Sequence, residues 1–175
     1  MSKIIFIGPP SVGKTSLIRR YFSGEFPGVD INPTYIANCT VVKGAILFDT
    51  PGQEKFATVN AVLVNNMDAV VIVTDADNLA EQDPLGAYVS LCESRDKSYI
   101  IALNKTDLLD ADEVIEYQGM LMREFRIDAV CVVSALTGEG MDGLMDAALA
   151  LAEKNRMIVT TNEFAVERDE KGGCC

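Results

Sequence analysis

The hydrophobic positions of the chain form short runs that alternate with longer amphipathic stretches. Short apolar runs bounded by turn-forming residues are typical of buried strands, and apolar residues three and four apart indicate helices that cover a sheet. The strands predicted in this way are residues 4–7, 37–42, 45–48, 69–74, 99–103 and 129–133. The predicted helices are residues 15–22, a stretch after Glu54 to about Asn66, one opening at Pro84, one capped by Asp110 or Asp112 and running to about Phe125, and Gly140 to about Lys154.

This alternation predicts an α/β fold, with a mostly parallel six-stranded sheet and helices on both of its faces. Lys43-Gly44 is a tight connection, so we expect one antiparallel strand at a sheet edge. Residues 23–34 carry too many turn signals for regular structure and are expected to form a mobile loop. We expect one domain, residues 1–153, followed by a flexible C-terminal tail, residues 154–175.

The charge and composition of the chain exclude several classes of function. A net charge of -11 argues against nucleic acid as a partner, and the absence of histidine excludes Ser-His-Asp chemistry and His-ligated zinc within this chain. Cys39, Cys92 and Cys131 lie in apolar or strand-like stretches and are expected to be inert core thiols of a reducing compartment. Without a signal-peptide pattern or a membrane-spanning apolar run, we expect a soluble body.

Candidate chemistry begins at residues 8–15, Gly-Pro-Pro-Ser-Val-Gly-Lys-Thr, which match the G-x-x-x-x-G-K-[ST] phosphate loop. The alternative is a chance Gly-containing turn before Lys-Thr, and the strand before the loop and the helix after it argue against that. Lys14 is expected to reach the terminal phosphates and the Thr15 hydroxyl to hold Mg²⁺. The predicted nucleotide contacts of this P-loop NTPase signature are Gly8, Ser11, Val12, Gly13, Lys14, Thr15 and Ser16.

Two further motifs follow strands. Asp49 is placed to hold Mg²⁺ and the Gly52 N–H to approach a γ-phosphate, although Asp-Thr-Pro-Gly by itself is also an ordinary turn. In Asn104-Lys105-Thr106-Asp107, the Asp107 carboxylate can accept hydrogen bonds from N1–H and the amino group of guanine, and Lys105 can lie over the base. The alternative for this tetrapeptide is a solvated cap of the next helix.

Together these motifs resemble the Ras-like small GTPases, and most specifically the Rab branch. The resemblance covers about residues 3–153. Its motifs are residues 8–15, Pro33-Thr34, residues 49–56, Asn104 to Asp107 and Ser134-Ala135-Leu136. The terminal Gly172-Gly173-Cys174-Cys175 is similar to Rab ends, in which both cysteines are geranylgeranylated, and two lipids suffice for stable anchoring.

The resemblance implies roles for several residues. Thr34 would bind Mg²⁺ and the γ-phosphate, Gln53 would orient the attacking water, and Lys14 would complete the catalytic set. Asn104, Lys105, Asp107, Ser134, Ala135 and Leu136 would form the base site.

The resemblance also implies cofactors and partners. GTP/GDP and Mg²⁺ would be the cofactors, and GTP hydrolysis would be slow without an activating protein. The expected partners are an exchange factor, a GTPase-activating protein, a GDP-dissociation inhibitor and effectors. The protein would be a monomer that regulates vesicle trafficking at the cytoplasmic side of an intracellular membrane and cycles with the cytosol.

Several positions depart from the family pattern. Pro10, Pro51 and Leu136 replace residues that are usual at the phosphate and base loops, and residues 35–39 and Phe48 differ at positions that face effectors. Because Pro9 and Pro10 lack N–H groups, the phosphate cradle loses two donors. A guanine-nucleotide-bound module with little or no useful hydrolysis is therefore the alternative function. A metabolite kinase using ATP is contradicted by Asp107.

Overall fold

The computed structural model of the chain describes residues 1–28, 38–51, 62–76, 79 and 85–171, with side chains up to residue 158. Its strands are β1 (Ser2–Ile7), β2 (Asn38–Val42), β3 (Ala45–Asp49), β4 (Ala69–Asp75), β5 (Tyr99–Asn104) and β6 (Cys131–Val132). Its helices are α1 (Lys14–Ser23), α2 (Leu85–Glu93), α3 (Ala111–Phe125) and α4 (Met141–Lys171). A short 3-10 turn covers Thr106–Leu108, and residues 62–65 are also helical.

The six strands form one sheet in the order β2-β3-β1-β4-β5-β6. β1 pairs in parallel with β3 and β4, and β5 pairs in parallel with β4 and β6. Among the six described strands, only the edge strand β2 is antiparallel, as the tight Lys43-Gly44 connection to β3 requires. The predicted mostly parallel six-stranded sheet with one antiparallel edge strand is confirmed.

Helices cover both faces of the sheet because side chains along each strand point alternately to opposite sides. Along β1, Ile4 and Phe6 belong to a buried cluster that also contains residues of α1 and α4. Ile5 and Ile7 belong to a second buried cluster, with residues of α2 and α3. The nearly continuous apolar runs of β1 and β4 thus follow from burial on both faces.

The start of α3 is fixed by a reciprocal cap. The Glu113 N–H donates to Asp110 Oδ1 at 2.9 Å, and the Asp110 N–H donates to Glu113 Oε2 at 2.9 Å. These bonds satisfy amide donors that the first turn of a helix leaves without partners. Of the two predicted caps, Asp110 is the correct one.

The last helix differs from its prediction. The predicted end near Lys154 is wrong, because α4 continues to Lys171. No glycine or proline occurs between Leu144 and Lys171 to stop it. Just past the predicted end, Asn155 Nδ2 still donates to the Asp68 carbonyl at 2.8 Å, which ties the helix to the sheet. The domain boundary at 153 stays a prediction.

Two smaller predictions also need correction. β6 is only two residues long, Cys131–Val132, where residues 129–133 were predicted. Cys39 is exposed on the edge strand β2 and is not a core thiol. Cys92 is buried, and burial together with the neighbouring Glu93 charge raises its pKa to about 12. The prediction of an inert thiol therefore suits Cys92, whereas Cys131 is half-buried with a pKa raised by desolvation.

Several predicted features lie outside the described residues. They are Pro84, the loop beyond residue 28, the first residue of the predicted strand at 37 and most of the helix predicted before Asn66. Within the described part of the chain, no helix combines the length and the apolar character needed to cross a membrane.

Candidate functional site

The phosphate loop connects the end of β1 to the start of α1, and its glycines are required by its shape. Gly8 (φ 143°) and Gly13 (φ 91°) both have positive φ. A Cβ on Gly8 would lie 2.2 Å from the Val73 carbonyl oxygen, and one on Gly13 would lie 2.3 Å from Asn104 Nδ2. Gly13 caps α1 without a side chain, so the first amides of that helix remain available to an anion.

Lys14 lies inside the loop. Its side chain is only 6% exposed, and its Nζ donates to the carbonyl oxygens of Gly8 at 2.9 Å and Pro9 at 2.6 Å. Desolvation by burial lowers the pKa of Lys14 to about 8, and the nearby Asp49 charge opposes part of that shift. A buried cation held by two carbonyl dipoles is well placed to bind phosphate oxygens.

Thr15 and Asp49 meet at the place expected of a magnesium site. The Thr15 hydroxyl donates to Asp49 Oδ2 at 2.7 Å, and Asp49 is buried at the end of β3. Thr50, the next residue, donates from its hydroxyl to the Phe6 carbonyl at 2.7 Å and so fixes the strand end against β1. Hydroxyl and carboxylate oxygens are the hard ligands that Mg²⁺ takes, and they fit this ion.

Magnesium held in this way needs few protein groups, because phosphate oxygens and water complete its coordination. In the described ranges, no group of three or more His, Cys, Asp or Glu side chains is arranged to hold a metal. The Thr15 hydroxyl and the Asp49 carboxylate suit a magnesium ion that is bound together with a nucleotide.

Asn104 connects the phosphate loop to the loop that follows β6. It is buried at the end of β5, and its Nδ2 donates to the Val12 carbonyl at 2.8 Å. Its Oδ1 accepts the Ala135 N–H at 3.1 Å. With both ends of its amide bonded to the protein, Asn104 holds two nucleotide loops in a fixed relation.

Asp107 is held by the neighbouring loop. The Ser134 hydroxyl donates to Asp107 Oδ1, and the same hydroxyl oxygen accepts the Thr137 N–H at 3.1 Å. A carboxylate fixed in this way is prepared to accept hydrogen bonds from two adjacent donors on a base edge.

The other residues of the predicted base loop vary in exposure. The Ser134 N–H donates to the Glu139 carbonyl at 3.0 Å, and the Ala135 N–H is used by Asn104. Leu136 is exposed. Backbone contacts from Ser134 and Ala135 to a base, and packing of Leu136 against it, stay predictions.

Two residues that were not predicted as site residues also lie near the carboxyl ends of the parallel strands, where the predicted site residues are found. Asp75 ends β4 as a fully buried carboxylate and pairs with Lys105, with 2.5 Å between Oδ2 and Nζ. The Thr106 hydroxyl donates to the Val133 carbonyl at 2.9 Å and joins the base loop to the end of β6. An acid that ends an otherwise apolar strand was the available signal for Asp75.

Some predicted site residues lie outside the described residues. They are Thr34, Gly52, Gln53, Cys174 and Cys175. The described candidates nonetheless meet at one edge of the sheet, because parallel strands place their carboxyl ends together.

A phosphate loop after β1, a threonine–aspartate pair suited to magnesium and an oriented carboxylate for the base define a P-loop protein of the guanine-nucleotide-binding class. More specifically, the chain belongs to the Ras family, whose model matches residues 3–154. GTP or GDP with Mg²⁺ is the ligand of this family.

The chain is also similar to bacterial GTPases. It is 32% identical to translation initiation factor IF-2 of Geobacillus sp. (strain WCH70) over 70% of this chain and 18% of that protein. It is 30% identical to GTPase Der of Moorella thermoacetica over 95% of this chain and 43% of that protein. It is 36% identical to IF-2 of Anaplasma phagocytophilum over 63% of this chain and 14% of that protein. The chain thus spans less than half the length of these relatives.

Proposed function

We propose that this protein is a GTP-hydrolysing switch of the Rab type that regulates membrane trafficking. One observation carries the nucleotide part of the proposal. At the carboxyl ends of the parallel strands, Lys14 is placed to bind phosphate and the Thr15–Asp49 pair to bind magnesium. Asp107 is held at the same end of the sheet, where it could accept hydrogen bonds from guanine. The Rab and trafficking part is supported by the sequence motifs and the terminal Cys174-Cys175.

The described residues would bind the nucleotide from both ends. Lys14 would exchange its two carbonyl contacts for phosphate oxygens, and the α1 amides would donate hydrogen bonds to the same anionic group. Asp107 would accept hydrogen bonds from the guanine edge, which adenine cannot supply in the same pattern. Asn104 would keep the two loops at the correct separation. Bound Mg²⁺ would neutralise charge on the phosphates.

Hydrolysis would depend on residues of the two switch loops together with Lys14. Thr34 would contact the γ-phosphate through its backbone N–H, and the Gly52 N–H would do the same from the second loop. Gln53 would orient the attacking water, a task of positioning that forms no covalent intermediate. Loss of the γ-phosphate would release both loops, which gives effectors two distinguishable states to read.

The membrane part of the proposal rests on the chain end. Geranylgeranyl groups on Cys174 and Cys175 would anchor the protein to the cytoplasmic side of an intracellular membrane, with cycling through the cytosol. Its partners would be an exchange factor, a GTPase-activating protein, a GDP-dissociation inhibitor and effectors. The names of the relatives concern translation initiation and GTPase activity, and since the chain covers a minor part of them, they support the GTPase module only.

The deciding experiment combines bound-nucleotide analysis with single-turnover GTP hydrolysis on the purified protein. We expect copurified guanine nucleotide and slow hydrolysis that Gln53→Leu reduces by at least about tenfold. Gln118→Leu is the matched control, because Gln118 lies on α3 and donates to the Val130 carbonyl.

Guanine nucleotide with no hydrolysis, or an equal rate in wild type and Gln53→Leu, would favour the alternative binding module. Bound adenine nucleotide would contradict both the GTP-hydrolysing switch and the guanine-nucleotide-binding module.

A further inference from the structure

We propose that Asp75 is a positioning residue for guanine recognition, which holds the Lys105 ammonium so that the lysine stem is presented to the base. The proposal rests on guanine-nucleotide binding by the Asn104–Asp107 loop. It does not depend on GTP hydrolysis or on the Rab assignment.

The sheet register brings the two residues together. Asp75, the last residue of β4, stands opposite Asn104, the last residue of β5, in a parallel pair. Lys105 follows Asn104 directly and has left-handed backbone dihedrals, φ 61° and ψ 31°. This turn takes the chain out of the strand and into the 3-10 turn that carries Asp107.

The two partners of the ion pair differ in how deeply they are buried. The side chain of Asp75 is 0% exposed and that of Lys105 is 33% exposed, with 2.5 Å between Oδ2 and Nζ. A buried carboxylate requires a charged or hydrogen-bonding partner, so it keeps the ammonium at the strand end. The four-carbon stem between that ammonium and the backbone is then constrained at both of its ends.

A constrained stem favours base binding. Lysine commonly lays its apolar stem along a flat or apolar surface while its charged end is held elsewhere. A stem that is ordered before the nucleotide arrives loses less rotamer freedom on binding, which strengthens binding without any new contact. Asp75 therefore acts on the nucleotide through Lys105 and does not touch it.

A purely structural ion pair would instead stabilise the sheet edge to the same extent with and without nucleotide. A double-mutant cycle separates these roles, because only residues that act through each other give non-additive effects. The variants are Asp75→Asn, Lys105→Met and the double variant, and the measurement is the release rate of a fluorescent GDP at constant Mg²⁺. Asp75→Leu, also uncharged, is the second variant at position 75.

We expect each single variant to release GDP roughly tenfold faster than wild type, and the double variant to release it no faster than the faster single. We also expect a smaller rise in thermal midpoint on GDP binding for Asp75→Asn than for wild type. The proposal is overturned if Asp75→Asn accelerates GDP release by the same factor in the wild-type protein and in the Lys105→Met variant. It is also overturned if neither Asp75→Asn nor Asp75→Leu accelerates GDP release. Equal falls of the thermal midpoint with and without GDP would likewise indicate a structural role alone.

Matched controls lie at the opposite end of the sheet. Asp68→Asn removes an acid just before β4, where Asp68 Oδ2 accepts the Lys3 N–H at 2.8 Å. Lys97→Met removes a lysine whose Nζ donates to the Met67 carbonyl at 3.1 Å. Both should leave GDP release unchanged. Because GDP release needs no hydrolysis, a failure of the proposed GTPase activity would leave this test intact.

Discussion

At the scale of single residues, the phosphate site is held in a binding-ready arrangement by contacts within the protein. The Lys14 ammonium bonds to two carbonyl oxygens of its own loop, and the Thr15 hydroxyl bonds to Asp49. Each contact occupies a group that a nucleotide with Mg²⁺ would otherwise use. Nucleotide binding therefore exchanges these internal partners for stronger anionic or cationic ones.

The ionisation of Lys14 should be measurable. Burial lowers its pKa to about 8, so in the ligand-free protein its charge is complete well below pH 8 and is lost as the pH rises through that value. Phosphate oxygens favour the charged form and raise the pKa, so GDP affinity should fall above about pH 8, by at most about tenfold per pH unit. NMR titration of labelled lysine side chains, with Lys14→Met to assign the signal, would give a midpoint near pH 8 that GDP moves upward. A midpoint unaffected by GDP would contradict the assigned contact.

Asp107 is expected to select the base. Asp107→Asn replaces a double acceptor by an amide that can donate, so xanthine nucleotides should gain affinity and guanine nucleotides should lose it. We expect the GDP dissociation constant to rise by at least about a hundredfold, which corresponds to about 3 kcal/mol for an unmatched buried polar pair. Competition binding with GDP and xanthosine diphosphate measures the change, with the exposed Asp112→Asn as control. Unchanged GDP affinity would remove Asp107 from the base site.

At the scale of helices and strands, local sequence patterns predicted most of the secondary structure of the described residues. Apolar runs located all six described strands to within two residues at each end, and the Gly8–Thr15 motif located the start of α1. The end of α4 was missed because residues 144–171 contain neither glycine nor proline, the strongest signals for the end of a helix. Asp75 was missed as a site residue because its role depends on the neighbouring strand β5, which periodicity along one strand cannot reveal.

The cap of α3 gives a test at this scale. Asp110→Ala removes the acceptor for the Glu113 N–H, so the free energy of unfolding should fall by about 1 kcal/mol. Asp112→Ala, in the first turn of the same helix, should cost less, since Asp112 is not part of the reciprocal cap and interacts favourably with the helix dipole. Urea unfolding of the two variants measures the difference. Equal losses would mean that the side-chain cap contributes nothing beyond local charge.

At the scale of the whole molecule, the proposed switch must join a nucleotide site to a membrane. Two points along α4 are informative here, because the helix begins beside the base loop and its Asn155 donates to the carbonyl of Asp68, just before the start of β4 and opposite the nucleotide end of that strand. A continuous helix thus leads away from the nucleotide edge as far as Lys171. A tail on that side would leave the nucleotide edge accessible to regulators.

Lipid anchoring is expected to require Cys174 and Cys175. Replacing both by serine should move the protein from the membrane fraction to the cytosol, since two lipids are needed for stable attachment. Cell fractionation measures this, and Cys39→Ser is the matched control, because Cys39 is an exposed cysteine of the body. Membrane association that survives the double replacement would refute anchoring through these cysteines.

The strand order has a consequence for the dimensions of the ligand. The phosphate loop follows β1, and Asp49, Asp75 and Asn104 end β3, β4 and β5, so these groups lie on four adjacent strands in the order β3, β1, β4 and β5. Three inter-strand steps of about 4.8 Å each separate the first from the last, about 14 Å in all. The backbone hydrogen bonds of the sheet therefore determine how far the magnesium end of the site lies from the base end, and they do so before any ligand is present. A ligand too short or too long for this separation could therefore not contact both ends of the site at once.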